Sequence, residues 1–352
     1  MTPFIIPIDN QLSYRSIRRN GELKLDIKNH CDFPSRSLVV DWRGNCFVCA
    51  CEAWLPITVG NILDFTRLSD IWATPTALAL QQDIDSKKFT HCAVDRCGIL
   101  HHDQRSRDYS GSPGLDSYYI SINIDESCNL RCPSCRRGNI MHTAGADYEA
   151  KLQQVRHLVT LLEGFDRPCH IIMSGNGDPL ASTIMRPLLH NFKPGAEQTI
   201  RLFTNGLLLE KQLTDNSIVN NITQYFISID AGTAEVYERV RLGGRWATLL
   251  KNFDFLRTVV ARTGAEVLLK FVLQQDNYQD MQNFINIGRE YGFRTVINRL
   301  EDWGTWPDFA LHDVIGNTSH PAHLAAIAHL REVYQLNHTQ VEFNSSLKDL
   351  CQ

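Results

Sequence analysis

Residues 120–138 read Ile120-Ser-Ile-Asn-Ile-Asp-Glu-Ser-Cys128-Asn-Leu-Arg-Cys132-Pro-Ser-Cys135-Arg-Arg-Gly138. The alternating apolar residues at the start of this stretch predict a β-strand, and the strand leads directly into a loop that carries three cysteines. Structural zinc sites and closed iron–sulfur clusters take four protein ligands. A loop with three cysteines therefore either borrows a distant fourth ligand or leaves one metal position open for chemistry.

The chain after this loop alternates short apolar strands with helices. Further strands are predicted at 170–174, 199–203, 224–229, 266–273 and 295–298, and helices near 152–162, 207–216, 245–262 and 278–291. Parallel neighbours need crossover connections, so this alternation predicts a parallel sheet of the α/β class. Right-handed crossovers would curl it into a partial (β/α)6 barrel of the TIM type. In such barrels the chemistry lies at the carboxyl ends of the strands, where the cysteine loop begins.

The spacing of Cys128, Cys132 and Cys135 resembles the CxxxCxxC signature of the radical S-adenosylmethionine (radical SAM) enzymes. The resemblance implies that these cysteines hold a 4Fe–4S cluster whose fourth iron position binds S-adenosylmethionine. In that family, reductive cleavage of the bound molecule yields a 5'-deoxyadenosyl radical, which abstracts a hydrogen atom from the substrate. A zinc knuckle and buried structural thiols are the alternatives, because short cysteine motifs also occur without this function.

Other strand ends carry residues that the same resemblance assigns to S-adenosylmethionine. The turn after the second strand resembles the Gly-Gly-Glu motif that binds the methionine amino group, and later strand ends resemble Thr-Asn-Gly and Ser-x-Asp steps. The residues concerned are Gly175, Asn176, Gly177, Asp178, Asn205, Ser228 and Asp230. Ser134 departs from the larger residue that many relatives place before the last cysteine.

Two candidate cofactor residues also have a structural interpretation. Asp230 is as well suited to capping the helix that follows it as to binding the cofactor. Arg241, in the next helix, is in place to face the methionine carboxylate. An arginine at such a position more commonly lies on a solvated helix face.

The first hundred residues contain a second group of cysteines. Cys31 and Cys49 lie on two strands that a turn at Gly44 would join into a hairpin, and Cys92 and Cys97 follow in a later loop. Two cysteines from a hairpin and two from a loop are what a four-ligand metal site needs. A zinc ribbon held by the same four residues is the alternative.

This N-terminal pattern resembles the SPASM or twitch domain of radical SAM enzymes. Besides its cysteines, Gly60-Asn61 and Ile71-Trp72 fill places of the family pattern in order. The resemblance implies one auxiliary 4Fe–4S cluster held by the four cysteines named above, while Cys46 and Cys51 fall short of a further complete set. In most relatives this domain follows the core, whereas here it precedes the core.

Domain boundaries follow from composition. Residues 105–117 are rich in Ser, Gly and Pro and predict an exposed connection. We therefore predict an auxiliary-cluster domain over 1–110, the barrel over 117–305 and a helical extension over 306–352. The amphipathic stretch 322–334 in this extension predicts a helix that covers the barrel.

Composition narrows the class of protein. The 352 residues are 43% hydrophobic and 21% charged with a net charge of −4, which predicts a globular fold and no nucleic-acid partner. No stretch is apolar enough for a membrane helix and the start lacks a signal peptide, so a cytoplasmic location is expected. Eleven cysteines in a chain of this length indicate metal ligation rather than disulfides.

These observations favour a radical SAM enzyme of oxidoreductase or epimerase type. Relatives with auxiliary clusters mostly crosslink, epimerise or oxidise peptides, and a smaller set acts on sugars and aminoglycosides. The resemblance also implies an electron donor of flavodoxin or ferredoxin type. A non-catalytic zinc or electron-transfer protein is the alternative from another class. Cys351 is a candidate hydrogen donor, because some radical SAM epimerases use a thiol in that role.

Overall fold

The computed structural model describes residues 31–94, 97, 117–174 and 176–351. Ten strands of this described part form one sheet: β1 (Ser37–Val40), β2 (Asn45–Phe47), β3 (Thr58–Asn61), β4 (Tyr118–Ile122), β5 (Cys169–Met173), β6 (Gln198–Thr204), β7 (Ile222–Ser228), β8 (Glu266–Leu273), β9 (Arg294–Arg299) and β10 (Glu342–Phe343). Their order across the sheet is β10-β9-β8-β7-β6-β5-β4-β1-β2-β3.

The six strands β4–β9 are parallel and follow one another in chain order, which confirms the predicted α/β core. Helices connect them or cover them, as parallel neighbours require. They are α1 (Phe33–Arg36), α2 (Pro75–Asp85), α3 (Ala146–Glu163), α4 (Leu209–Leu213), α5 (Ala234–Val240), α6 (Trp246–Thr263), α7 (Met281–Tyr291), α8 (His323–Asn337) and α9 (Ser345–Cys351). The predicted covering helix near 322–334 is α8.

Further strands lie at both edges of the core. The hairpin of β1 and β2 around Gly44 is confirmed, whereas β3, β10 and the pairing of β1 with β4 were not predicted. β10 pairs parallel with β9. At the other edge β1 pairs parallel with β4, with Ser37 opposite Tyr119, and β2 and β3 continue antiparallel from it. The N-terminal domain therefore extends the sheet of the core. Its Trp72 stacks obliquely on Tyr118 at 4.8 Å and donates from Nε1 to the Ser37 carbonyl.

The two faces of the core strands differ in character. On β5, Cys169, Ile171 and Met173 are almost fully buried against the helices, whereas the alternate residues Ile172 and Ser174 face a cavity on the other side of the sheet. This alternation is the two-residue period of a strand. One face builds the hydrophobic core, and the other is free to line a binding site.

The parallel arrangement of β4–β9 places the carboxyl end of each of these strands at the same edge of the sheet. The cysteine loop leaves β4 at this edge, and the turns after β5, β6 and β7 leave it beside the loop. The sequence-predicted cofactor residues are thus gathered by topology. Among the described residues, no helix combines the length and apolar character needed to cross a bilayer.

Candidate active site

The cysteine loop presents its three thiols at different depths. Cys132 is buried, Cys128 is half-buried and Cys135 is exposed. The loop turns sharply, because the backbone N–H groups of Cys135 and Arg136 both donate to the Cys132 carbonyl at 3.0 Å. Leu130 donates its backbone N–H to Cys128 Sγ at 3.4 Å. Burial and the nearby carboxylate of Asp178 raise the pKa of Cys128 to about 11.

Arg136 holds this loop against the neighbouring turn. Its guanidinium donates to the Glu126 carbonyl at 2.8 Å, to the Asn176 carbonyl at 2.7 Å and to Cys135 Sγ at 3.7 Å. Burial lowers the pKa of Arg136, but Cys135 and Cys128, with a smaller effect of Cys132, reverse this and raise it overall. One guanidinium thus lies within electrostatic range of all three thiols of the loop.

The three thiols of the cysteine loop suit an iron–sulfur cluster with one open position. The three thiols share one loop, and cluster irons are held by cysteine thiolates. Within the part of the chain that is described, no three Cys, His, Asp or Glu side chains are gathered tightly enough to hold a single metal ion.

The turn after β5 makes close contact with the cysteine loop. A Cβ atom on Gly177 would lie 2.2 Å from the Ser127 carbonyl oxygen, so glycine is required there. The backbone N–H of Asp178 donates to the same oxygen at 2.8 Å. Gly175, predicted in this turn, lies outside the described residues.

The carboxylate of Asp178 is buried and fully engaged by the protein. One oxygen accepts from the Leu180 N–H at 3.0 Å, and the other accepts from the Thr204 hydroxyl at 2.8 Å and from the Asn205 N–H at 2.7 Å. Burial raises the pKa of Asp178, and these donors oppose the rise. Asp178 therefore joins the end of β6 to the turn after β5, and its predicted contact with S-adenosylmethionine stays a prediction.

Asn205 and Ser228 lie at the ends of β6 and β7. The Asn205 amide donates to Asn129 Oδ1 at 2.8 Å and approaches Cys128 Sγ at 3.8 Å, which places this side chain directly beside the cysteine loop. Ser228 is half-buried and pairs in register with Lys270 of β8.

Asp230 and Arg241 form a buried ion pair. Arg241 Nη2 is 2.8 Å from Asp230 Oδ2, and Arg241 Nη1 donates to Cys132 Sγ at 3.6 Å. Burial raises the pKa of Asp230 and the adjacent Arg241 charge opposes that rise. Burial lowers the pKa of Arg241, but Asp230 and Cys132 outweigh it and raise the pKa overall.

Two expectations about this pair are wrong. Arg241 does not lie on a solvated helix face, because its side chain is only 12% exposed and contacts Cys132 and Asp230. Asp230 does not cap α5 either. Asp280 instead holds the turn before α5, because its carboxylate accepts from the N–H groups of Gly232 at 2.6 Å and Thr233 at 3.1 Å.

The structure brings the four N-terminal cysteines together. Cys31, Cys49, Cys92 and Cys97 all line one small pocket of about 20 Å³ whose other walls are apolar. Burial, reinforced by the neighbouring cysteines, raises the pKa of Cys31 to about 11 and those of Cys49 and Cys92 to about 12. Four thiols in an apolar pocket suit a closed iron–sulfur cluster. Cys46 and Cys51 lie outside this pocket.

A larger cavity of about 470 Å³ lies on the open face of the sheet. Asn123, Ser174 and Asn298 line its end nearest the cysteine loop. Its remaining walls combine aromatic and charged side chains, among them Tyr119, Phe203, Phe226, Arg201, Lys270, Glu266, Arg294 and Glu342. Cys49, Phe33 and Trp54 line both this cavity and the four-cysteine pocket. The cavity therefore runs from strand-end residues such as Asn123, where the cysteine loop begins, to Cys49, and none of the three loop cysteines lines it.

Some residues of the site were missed or are placed elsewhere. Arg136 gave only one signal in the sequence, which is its position immediately after the last cysteine of the motif. Asp280 gave none. Cys351 lies at the end of α9, half-buried, with Arg331 of α8 as a charged neighbour. The structure does not group Cys351 with the cysteine loop, and its predicted role as hydrogen donor stays a prediction.

Comparison with known families identifies two domains in the chain. The model of the Radical SAM superfamily matches residues 122–287. The model of the iron-sulfur cluster-binding domain named SPASM matches residues 31–98, ahead of the first match. These two matches imply a 4Fe–4S cluster with S-adenosylmethionine in the core and auxiliary iron–sulfur binding in the N-terminal domain.

Relatives match part of the chain. A GTP 3',8-cyclase of Limosilactobacillus fermentum is 26% identical over 53% of this chain and 57% of its own length. The mycofactocin maturase MftC of Mycobacterium ulcerans is 22% identical over 55% of this chain and 51% of its own. The chain thus spans about half the length of these curated relatives. Among solved structures, Streptococcus suis SuiB aligns with a TM-score of 0.41 at 16% identity, covering 64% of this chain and 48% of SuiB.

Proposed function

Because this chain belongs to the radical SAM superfamily and carries a SPASM domain ahead of its core, we propose that it abstracts a hydrogen atom from a peptide substrate. The product would be a crosslinked, epimerised or oxidised peptide. One observation carries the proposal: a single cavity extends from the residues beside the cysteine loop to Cys49 of the N-terminal cysteine group. A substrate in this cavity would lie between two groups of metal-binding thiols.

We assign Cys128, Cys132 and Cys135 to the cluster that binds S-adenosylmethionine, and Cys31, Cys49, Cys92 and Cys97 to the auxiliary cluster. When bound, the first cluster and S-adenosylmethionine would supply a 5'-deoxyadenosyl radical. The protein's own contribution is to hold the loop. Arg136 and Gly177 fix it against the turn after β5, and Asn205 fixes it against the end of β6.

We assign the open edge beside these contacts to S-adenosylmethionine. Asn176, Gly177, Asn205 and Ser228 border this edge at three neighbouring strand ends. Backbone at a glycine allows close approach of a ligand, and amide and hydroxyl side chains can bond its amino and carboxylate groups. Asp178 holds two of these strand ends together, because its carboxylate accepts hydrogen bonds from Thr204 and Asn205.

The charges in the cavity favour a peptide over a nucleotide. Glu266 and Glu342 pair with Arg294 at the end of the cavity far from the cysteine loop. A nucleoside triphosphate, as the GTP 3',8-cyclase relatives suggest, needs a concentration of positive charge. Charges of both signs beside Tyr119, Phe203 and Phe226 suit a peptide segment with polar and apolar side chains. A sugar or aminoglycoside is the other candidate substrate.

Anaerobic reconstitution with iron and sulfide tests the reaction. We expect about eight irons per chain from two four-iron clusters, and formation of 5'-deoxyadenosine from S-adenosylmethionine after reduction. Combined alanine replacement of Cys128, Cys132 and Cys135 should abolish cleavage and leave the auxiliary cluster in place. A protein that binds only zinc and never cleaves S-adenosylmethionine would contradict the proposal.

Deuterium transfer tests the substrate class. The reconstituted enzyme is given deuterated synthetic peptides, deuterated GTP or a deuterated aminoglycoside, and the 5'-deoxyadenosine is analysed by mass spectrometry. Deuterium from the peptides alone supports the proposal, whereas deuterium from either other compound overturns the peptide assignment.

We further propose an electron donor of flavodoxin or ferredoxin type and a cytoplasmic location, because reduced thiols must be available for cluster assembly.

A further inference from the structure

A buried ion pair lies directly behind the cysteine loop. Arg241 spans Asp230, at 2.8 Å, and the Sγ atom of Cys132, at 3.6 Å. The side chains of Arg241 and Asp230 are only 12% and 3% exposed. The contacts therefore connect a thiol, a guanidinium and a carboxylate in a buried region, where water does not screen their charges.

The local backbone is built to hold Asp230 in this position. Asp230 has a φ of 54°, a left-handed conformation that is uncommon for residues other than glycine. The Asn277 amide donates to its carbonyl at 2.9 Å, and the Val272 N–H donates to its Oδ1 at 2.8 Å. A strained residue persists only where its surroundings fix it. These bonds leave Oδ2 of Asp230 to orient Arg241.

The next turn is equally constrained. Asp280 accepts from the N–H groups of Gly232 and Thr233. A Cβ atom on Gly232 would lie 2.0 Å from the backbone nitrogen of Phe284, so this turn is packed directly onto α7. The start of α5, the helix that precedes Arg241, is thereby fixed relative to α7. The position of the guanidinium beside Cys132 is set by the fold.

Hydrogen bonds and charges beside the ligating sulfurs set the reduction potential of an iron–sulfur cluster. We propose that Arg241 and Asp230 are positioning residues that set the potential of the cluster at Cys132. Arg241 raises the potential by placing a positive charge and a donor on the Cys132 sulfur. Asp230 orients Arg241 and offsets part of its charge, and an asparagine in its place would keep an oxygen for Arg241 to bond while removing the offsetting charge. This inference rests on the proposed cluster at Cys128, Cys132 and Cys135.

The assignment differs from direct binding of S-adenosylmethionine in a measurable way. A pair that acts through the Cys132 sulfur changes the cluster's potential even when S-adenosylmethionine is absent. A pair that only contacts S-adenosylmethionine changes its affinity and leaves the potential of the free cluster unchanged. The midpoint potential of the reconstituted protein without S-adenosylmethionine therefore separates the two roles.

The test is an EPR-monitored redox titration of the full chain with both clusters. We expect Arg241→Gln to make the potential of the loop cluster more negative and Asp230→Asn to make it less negative. Arg241→Lys, which keeps the charge, should stay nearest to the unaltered protein. The auxiliary cluster of each variant is an internal reference whose potential should not move.

Arg239→Gln is the matched control. Arg239 lies on the same helix, but its side chain is 47% exposed and pairs with the exposed Glu235, so the potential should be unchanged. Loss of one partner of a buried pair leaves an unpaired charge and can prevent folding. The double variant Asp230→Asn/Arg241→Gln removes both charges, and its potential should lie between those of the two single variants.

Opposite shifts in the two single variants support the inference. If one single variant does not fold, a shift of the other in its expected direction, with the double variant nearer to the unaltered protein, supports it instead. Unchanged potentials with weaker binding of S-adenosylmethionine overturn it, and shifts in the same direction overturn it as well. If the unaltered protein forms no cluster at the loop, the proposed function itself fails. If it forms the cluster and cleaves S-adenosylmethionine while the potentials stay fixed, only this inference fails.

Discussion

Gly177 lies so close to Ser127 that a Cβ atom on Gly177 would be 2.2 Å from the Ser127 carbonyl oxygen. This contact joins the turn after β5 to the residue that immediately precedes the first cysteine of the loop. The same carbonyl accepts the Asp178 N–H at 2.8 Å. The position of the cysteine loop therefore depends on the absence of a side chain at Gly177.

Gly177→Ala should displace the cysteine loop. Because the clash is with backbone atoms, it cannot be relieved by rotating a side chain, and the loop must move. We expect the reconstituted variant to lose about four of about eight irons and to form no 5'-deoxyadenosine. Gly138→Ala is the control, since a Cβ there meets nothing within 4 Å. Full iron content in the Gly177 variant would show that the loop tolerates the change.

Cys49→Ser should remove the auxiliary cluster alone. Cys49 lines the four-cysteine pocket with Cys31, Cys92 and Cys97. We expect iron to fall by about four per chain, with the loop cluster and its EPR signal retained. Cys51→Ser, two residues away and outside the pocket, should keep all the iron. Equal iron loss in both variants would argue against the assigned ligand set.

His170 should make the apoprotein sensitive to acid. Burial, with a contribution from Arg201, lowers the pKa of His170 to about 4 from an ordinary value of 6.5. As the pH falls, the unfolded chain takes up the His170 proton before the folded chain does. The stability that neutral His170 gives the folded state is therefore fully present above pH 6.5 and is lost as the pH falls toward 4. Urea unfolding at pH 7 and pH 5 should show a smaller pH effect for His170→Gln than for the unaltered protein. The exposed His338→Gln is the control, and an identical pH effect in all three proteins would contradict this role.

Cys351→Ala tests the predicted hydrogen donor. If Cys351 returns a hydrogen atom to the substrate, the variant should form 5'-deoxyadenosine normally while the modified product fails to accumulate. Product is measured by mass spectrometry of the peptide. Cys351 lies beside Arg331 of α8, so the geometry of the site does not support this prediction. Unchanged turnover would remove Cys351 from the mechanism.

The sequence predicted the order of the core strands and the loops that carry the site. Apolar periodicity marks β4–β9, and parallel pairing then brings the strand ends to one edge without further information. The parallel pairing of β1 with β4 was not predictable, because it joins residues far apart in the chain and leaves no local pattern. β10 has only two residues, too few to show a strand period.

The chemistry of individual charged residues was harder to predict than their location. The burial of Arg241 depends on Asp230 and Cys132, which meet it only in the folded chain. Asp178 was recognised as the acidic residue of its turn, but its engagement by Thr204 and Asn205 comes from a neighbouring strand. Partners of this kind are supplied by the tertiary fold.

The most direct test of the proposed mechanism is whether one iron of the loop cluster lacks a protein ligand and binds S-adenosylmethionine. Pulsed EPR of the reduced protein with S-adenosylmethionine labelled with ¹⁵N at the amino group measures this contact. We predict a ¹⁵N coupling to the loop cluster, retained in Cys49→Ser and absent when Cys128, Cys132 and Cys135 are replaced. A cluster that shows no coupling because a fourth side chain holds that iron would contradict the mechanism.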